Sequence, residues 1–227
     1  MAADPHDHSH HHDQDHDHDH DHHHGHNHPH DPIEVSEGAS EYEIMVHAIK
    51  ELLIEKGVIT GEDIRKTLEF MDKRTPALGA KVAARAWSEP GFKKRLLADG
   101  TAAVAELGIP MGDAELIVVE NSKDVHNIIV CTLCSSYPRT VLGLPPDWYK
   151  SRNYRSRAVR EPRAVLAEFG TPIPDDVEVR VHDSTADMRY LVLPRRPEGT
   201  EAMSEDDLAK LVGRDAMIGV ALPRSPA

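Results

Sequence analysis

The feature that most limits how this chain can fold is a change in the period of its apolar residues near residue 110. Upstream, Tyr42, Met45, Ile49, Leu52 and Leu53 recur at helical spacing through residues 41–56, and Gly57 supplies a stop. A second helix is expected from Glu62 through Ile64, Leu68 and Met71, broken before Pro76. Residues 77–88 and 90–107 also read as helical, with Gly100 and Gly108 as punctuation, and Ala80, Ala83, Ala84 and Ala86 favour close helix packing. Downstream, Leu116–Val119 and Asn127–Val130 are short apolar runs bounded by polar residues, the pattern of buried strands. Val177, Val179 and Val181 alternate with Glu178, Arg180 and His182, which predicts a half-exposed strand, and Tyr190–Leu193 predicts another. Residues 138–170 hold Pro145-Pro146 and short helical pieces, and Ser204 with Asp207 opens a last helix through Leu208 and Leu211. The expected fold class is α+β: a helical N-terminal arm over residues 33–109, then a mixed α/β domain over residues 110–227.

Residues 1–32 have a third pattern, with His and Asp alternating from His16 to Asp21 and no apolar period at all. Such a segment cannot repay its ordering entropy and is expected to be a disordered tail. Fourteen of the seventeen histidines lie in it. Imidazoles interleaved with carboxylates bind cobalt, nickel, zinc or copper loosely, in many equivalent arrangements. Because purification tags rarely alternate His with Asp, the segment reads as a native metal-gathering tail.

The formal charge of −13 is concentrated in that tail: residues 1–32 carry eight Asp and no Lys, Arg or Glu, so the rest carries only −5. No clustered cationic surface is left to displace counterions from nucleic acid. The basic run Arg155, Arg157, Arg160 and Arg163 is expected instead to pair with carboxylates at a subunit interface. No run of about 18 apolar residues could span a membrane, and no charged n-region precedes an apolar stretch as in a secretory signal. Two cysteines three apart, Cys131 and Cys134, are too few for a disulfide framework. They point to redox or metal chemistry in a reducing cytoplasm.

Spacing alone leaves three readings of Cys131-Thr132-Leu133-Cys134-Ser135-Ser136 open. A structural zinc site needs four ligands, and only His126 and His182 are scattered candidates for the others. A thioredoxin-like pair should open a long helix, whereas Pro138, Pro145 and Pro146 interrupt the segment after Cys134. A compact ligand loop would grip one metal from one side and leave a position open for substrate. Ser135 and Ser136 lack the Gly-x-Ser-x-Gly elbow of a serine hydrolase. His47 reads as a packed or surface residue, His126 as structural, and Met188 and Met217 as core.

The flanking residues separate the three. Val130–Ser135, Tyr137-Pro138, Leu142-Gly143-Leu144-Pro145-Pro146 and Trp148-Tyr149 resemble the nitrile hydratase α subunit, as do Tyr154-Arg155-Ser156-Arg157 and Leu96–Thr101. Gly79–Val82, Leu191–Pro194 and Met217-Ile218-Gly219 are similar too, so the resemblance runs over roughly residues 40–222. The family's loop reads Cys-Thr-Leu-Cys-Ser-Cys, with three thiolates and two deprotonated backbone amides around a low-spin trivalent metal, the second cysteine a sulfinate and the third a sulfenate. The resemblance therefore implies Cys131 and Cys134 as sulfur ligands and the amides of Ser135 and Ser136 as nitrogen ligands. Thr132 matches the cobalt-type pattern, which implies Co(III), with Fe(III) as the alternative. Ser136 stands where the sulfenate cysteine should be. A serine cannot become a sulfenate, so weakened hydration is expected. His182-Asp183-Ser184-Thr185-Ala186-Asp187-Met188-Arg189 is similar to a family stretch whose Trp is here His182 and whose Glu is here Asp187. Asp183, Asp187 and Arg189 are thus candidates to orient ligands or water, alongside Ser136 and Cys134 as catalytic candidates. Arg139 stands where a tryptophan is usual.

The resemblance implies an enzyme subunit hydrating small nitriles to amides. It would work with a β subunit as αβ or α2β2, receive cobalt with the help of an activator or metallochaperone, and grip its partner through the helix around residues 41–56. The alternatives are a thiocyanate hydrolase-like subunit with a similar cobalt loop, and a non-catalytic cobalt- or nickel-binding protein.

Overall fold

The structure is a computed structural model that describes residues 40–133 and 136–226; the expected His/Asp tail, Cys134 and Ser135 lie outside the described residues. Helix α1 (Glu41–Glu55) and helix α2 (Gly61–Asp72) are joined through Gly57, whose φ of 66° lets Val58 donate back to the Leu53 carbonyl. Both helices start from capping boxes, Ser40 with Glu43 and Thr60 with Asp63. Neither buries a single residue.

The rest of the chain is packed around one core. Helices α3 (Pro76–Ser88), α4 (Pro90–Ala98) and α5 (Gly100–Ala105) come first. Gly100 opens α5 rather than stopping a longer helix, because the Asp99 carboxylate accepts from the Ala102 N–H and caps a new start. Strands β1 (Glu115–Glu120) and β2 (Val125–Val130) come next, then four short helices: α6 (Arg139–Leu142), α7 (Asp147–Lys150), α8 (Arg152–Arg160) and α9 (Pro162–Glu168). Strands β3 (Glu178–Asp183) and β4 (Met188–Leu193), then α10 (Glu205–Leu211) and α11 (Arg214–Ile218), complete the order. The class is the α+β arrangement expected.

Both strand pairings are parallel and cross the sequence: β1 with β4, and β2 with β3 in the register Val130↔Asp183. The helices between β2 and β3 serve as the crossover that parallel pairing requires. The alanines of α3 do pack closely, with Ala80, Ala83, Ala84 and Ala86 each at most 4% exposed. A continuous apolar cluster runs from Ala80 to Val220, so residue 109, the expected boundary between arm and domain, falls inside one core. At the C-terminal end of α11, Gly219 takes φ 95° and lies so close to the Asn127 carbonyl that a Cβ there would collide with it. No helix among the described residues is long and apolar enough to cross a membrane.

Candidate metal centre

The Cys131 loop begins where β2 ends. Ile128, Ile129 and Val130 are fully buried and Cys131 is 1% exposed, so the strand carries the first thiol of the loop into the interior. Two residues further on, Leu133 is 94% exposed. The chain thus emerges at the surface within two residues and returns at Tyr137, which is buried.

Three side chains from separate elements hold the backbone at the two ends of this excursion. Because Val130 pairs with Asp183, the Asp183 carboxylate stands beside the first loop residue. It accepts from the Thr132 N–H at 2.9 Å and from the Thr132 hydroxyl at 2.5 Å. From α8, the Arg155 guanidinium donates to the Thr132 carbonyl at 3.2 Å. From α7, the Tyr149 phenol donates to the Ser136 carbonyl at 3.0 Å. Tyr149 is fully buried in an aromatic cluster, its ring edge-on to Tyr137 at 5.0 Å and to Trp148 at 6.1 Å. Burial pushes its pKa far upward, with the charge of Cys131 adding to the effect, so the O–H stays a donor at any working pH. Helix α8 is tied to the same strand by Tyr154, whose hydroxyl donates to the Ile129 carbonyl at 2.7 Å.

The remaining sequence candidates separate into two groups. Asp183 touches the loop. Asp187 lies on the turn between β3 and β4 and Arg189 is the second residue of β4; the Asp187 carbonyl accepts from the Glu115 N–H, and Arg189 donates back to the turn carbonyls of Thr185 and Ala186. They shape the turn after Asp183 rather than touching Thr132. His182 Nε2 lies 2.8 Å from Asn127 Oδ1, its ring against Tyr190. His126 is buried, with Nε2 2.7 Å from the Gly219 carbonyl and burial lowering its pKa; its role is in packing, as expected. In the basic run, Arg157 pairs with carboxylates, as expected of it. These are Glu161 and Glu168, and Arg163 pairs with the carbonyls of Ile173, Pro174 and Val177, so the partners of both are within the chain. Arg155 and Tyr149 are the residues sequence reasoning missed as loop contacts; one was part of a basic run and the other only part of a matching string.

Among the described residues no three His, Cys, Asp or Glu side chains converge on one point. The one loop thiol among the described residues is that of Cys131, which is buried; Cys134, three residues on, lies outside them. A thiolate is a soft donor and suits a transition metal better than a hard oxygen-seeking ion.

The family described as nitrile hydratase, alpha chain, matches residues 40–221. The low-molecular-weight cobalt-containing nitrile hydratase subunit alpha of Rhodococcus rhodochrous is 51% identical over 202 residues, covering 87% of this chain and 97% of that one. The thiocyanate hydrolase subunit gamma of Thiobacillus thioparus is 44% identical over 205 residues, covering 85% and 84%. A solved structure of recombinant thiocyanate hydrolase with partially modified cobalt centers superposes with a TM-score of 0.77 at 42% identity, covering 82% of this chain and 92% of that one. By the extent of the match and the loop at its centre, this chain belongs to the nitrile hydratase α-chain family.

Proposed function

We propose that the chain is the metal-carrying α subunit of a hydro-lyase that adds one water across a nitrile triple bond to give the amide. The observation that carries this reading is a sulfur-bearing loop with a buried first thiol and both ends held, in a chain about half identical to cobalt-containing α subunits. Cys131 and Cys134, the latter as sulfinate, would hold the metal together with the amide nitrogens of Ser135 and Ser136. A trivalent cobalt bound there would supply Lewis-acid activation of the nitrile or of its attacking water. Thr132 and the cobalt-containing relatives support cobalt over Fe(III).

The chain's own residues then have distinct tasks. Asp183 fixes Thr132, and Asp187 and Arg189 act at one remove by shaping the turn next to it. Ser136 sits where the family's third sulfur should be. Its hydroxyl is a harder, more basic donor than a thiolate and offers no sulfenate oxygen, so hydration is slow and metal loading incomplete. The partner is a β subunit, supported by the exposed apolar side chains of α1, among them Tyr42, Ile44, Met45 and Val46, and by the exposed Leu133. The His-rich tail gathers cobalt, and a metallochaperone inserts it. The test is the α subunit produced with its β subunit, with and without Ser136→Cys. The cysteine variant should hydrate nitriles faster by about tenfold or more, close to 1.4 kcal/mol off the barrier; equal rates would sink the assigned role of Ser136.

A second reading is thiocyanate hydrolysis. It is favoured by Arg139, exposed at the start of α6 where a tryptophan is usual, because a guanidinium near the loop attracts an anion such as thiocyanate and gains little from a neutral nitrile. Assaying both substrates with the parent and with Arg139→Trp separates the two.

A further inference from the structure

At the end of β2 away from Cys131 the chain forms an open groove of about 720 Å³. His126 lines it, and the extended strand from His126 to Cys131 spans about 17 Å. The groove is therefore separate from the proposed metal centre, and its volume is that of a small-molecule site. One wall is the loop before β3, with Ile173, Pro174 and Val177, and the other is the C-terminal segment, with Leu222 and Pro223. The proline rings carry no N–H, and the carbonyls of Ile173, Pro174 and Val177 are already taken by the Arg163 guanidinium from α9. The walls thus offer a ligand mainly carbon surface, and Arg163 holds one of them in shape.

The rest of the lining has the opposite character. Among the described residues that line the groove, Lys123, Arg195 and Arg196 are cationic and Glu198 alone is anionic. Glu198 pairs with Arg195 at 2.9 Å, and Arg196 donates to the carbonyls of Trp87 and Thr200. Lys123 has neither a carboxylate nor a carbonyl partner among the described residues. This excess of cations lies in a chain whose formal charge is −13. Deeper in, Asn121 and His126 are each 4% exposed. His126 Nε2 lies 2.7 Å from the Gly219 carbonyl, which can only accept, so Nε2 carries the proton and Nδ1 is an acceptor. The Asn121 amide donates one hydrogen to that Nδ1 at 3.4 Å, while its oxygen accepts from the main-chain and side-chain nitrogens of Asn127. Its second amide hydrogen has no acceptor among the described residues, although the side chain is buried and lines the groove. A buried donor without an acceptor is costly, and a ligand oxygen would relieve it. We propose that the groove binds an organic monocarboxylate with an apolar body. The carboxylate takes the Asn121 amide hydrogen and the Lys123 ammonium, and the body lies along Ile173, Val177 and Leu222.

The test titrates the full, metal-free chain with hexanoate and follows its backbone amide NMR shifts. The comparison probes are hexanamide, which keeps the body without the charge, and inorganic phosphate, which keeps a charge without the body. Hexanoate should bind with a dissociation constant of about 1 mM or below, moving the amides of Ser122, Lys123, Val177 and Arg195 while those of Thr132 and Ile49 stay still. Hexanamide and phosphate should each bind at these positions at least about fivefold more weakly. Lys123→Glu should weaken hexanoate by about fivefold or more and leave hexanamide unchanged. Leu222→Ser should weaken both by about two- to fivefold. Both side chains are exposed, so neither substitution should lower the melting temperature, measured in parallel. Equal binding of hexanoate and hexanamide overturns the carboxylate assignment, and phosphate binding as tightly as hexanoate overturns the apolar one. Hexanoate shifts confined to α1, or unchanged by either substitution, overturn the groove as the site. With no metal present, none of these outcomes bears on the proposed hydration, so the two readings fail separately.

Discussion

Helix α1 and strand β2 carry apolar residues at comparable density and have opposite fates. Ile128, Ile129 and Val130 are wholly buried, whereas Ile49 and Leu52 of α1 remain about half exposed and Tyr42 is 79% exposed. Local sequence explains why each element forms: a capping box and a 3.6-residue period for α1, and a short branched run for β2. It does not say what each will be buried against. The strand finds its cover within the chain, from α8, α11 and β3, while α1 and α2 are left as an amphipathic arm whose apolar side has no cover among the described residues. An arm of this kind gains its packing energy only on assembly, and that is where the proposed β subunit enters.

The largest effect that probes this contrast is a pair of identical truncations. Ile128→Ala removes a side chain with no exposure and should cost about 2–5 kcal/mol of unfolding free energy. Ile49→Ala, in the isolated chain, should stay within about 0.5 kcal/mol of zero, because a half-exposed site loses little transfer energy and alanine is the better helix former. Denaturant unfolding of the two variants checks both numbers. A cost above about 1.5 kcal/mol for Ile49→Ala would mean that the arm packs on its own body and the contrast is wrong. With the β subunit present, Ile49→Ala should weaken co-purification, while Ile128→Ala should not do so beyond its effect on folding.

Legibility in the sequence divides along the same line. The strand runs around Leu116 and Ile128, the helix through Tyr42 to Leu53, and the start at Ser204 all stand where the periodicity puts them, because period and capping are local properties. Gly100 reads as a stop because its backbone freedom is visible in sequence, whereas the Asp99 carboxylate reaching the Ala102 N–H is not. Helix α11 escapes a sequence reading since five residues are too few for a period to register. At the site, Cys131 and Cys134 are legible as a motif, and Asp183 through the resemblance. Its bond to Thr132 depends on parallel pairing of strands about fifty residues apart, which no short window contains. Arg155 and Tyr149 are hidden for the same reason: their partners are backbone carbonyls, and a backbone atom leaves no signature in sequence.

A smaller effect distinguishes the two regions by pH. Burial lowers the pKa values of both His126 and His182 in the body, so the folded state disfavours their protonation. With folded pKa values below the unfolded value of about 6.5, both histidines contribute stability that is fully present above that pH and is lost as pH falls through the folded values. The carboxylates with lowered pKa values, Asp63, Glu106 and Asp207 among them, act only at lower pH. Between about pH 7.5 and 5 the melting temperature should therefore fall, and the fall should be shallower in His126→Gln. A slope unchanged by that substitution would remove His126 from the explanation.

The smallest effect belongs to the arm and tests whether its stability is local. The Ser40 hydroxyl accepts from the Glu43 N–H at 3.3 Å and the Glu43 carboxylate accepts from the Ser40 N–H at 2.7 Å, so the first turn of α1 satisfies two of its otherwise open donors. With no residue of α1 buried, this cap is a sizeable part of what keeps the helix formed. Ser40→Ala should cost about 1 kcal/mol, confined to α1. Amide exchange at residues 41–55 should accelerate by about fivefold, while exchange at residues 128–130 and the melting temperature of the body stay unchanged. If protection falls in both places, α1 is thermodynamically coupled to the core, and the arm is one end of a single cooperative unit. If it falls only in α1 and is restored when the β subunit is added, the arm's missing packing comes from the partner.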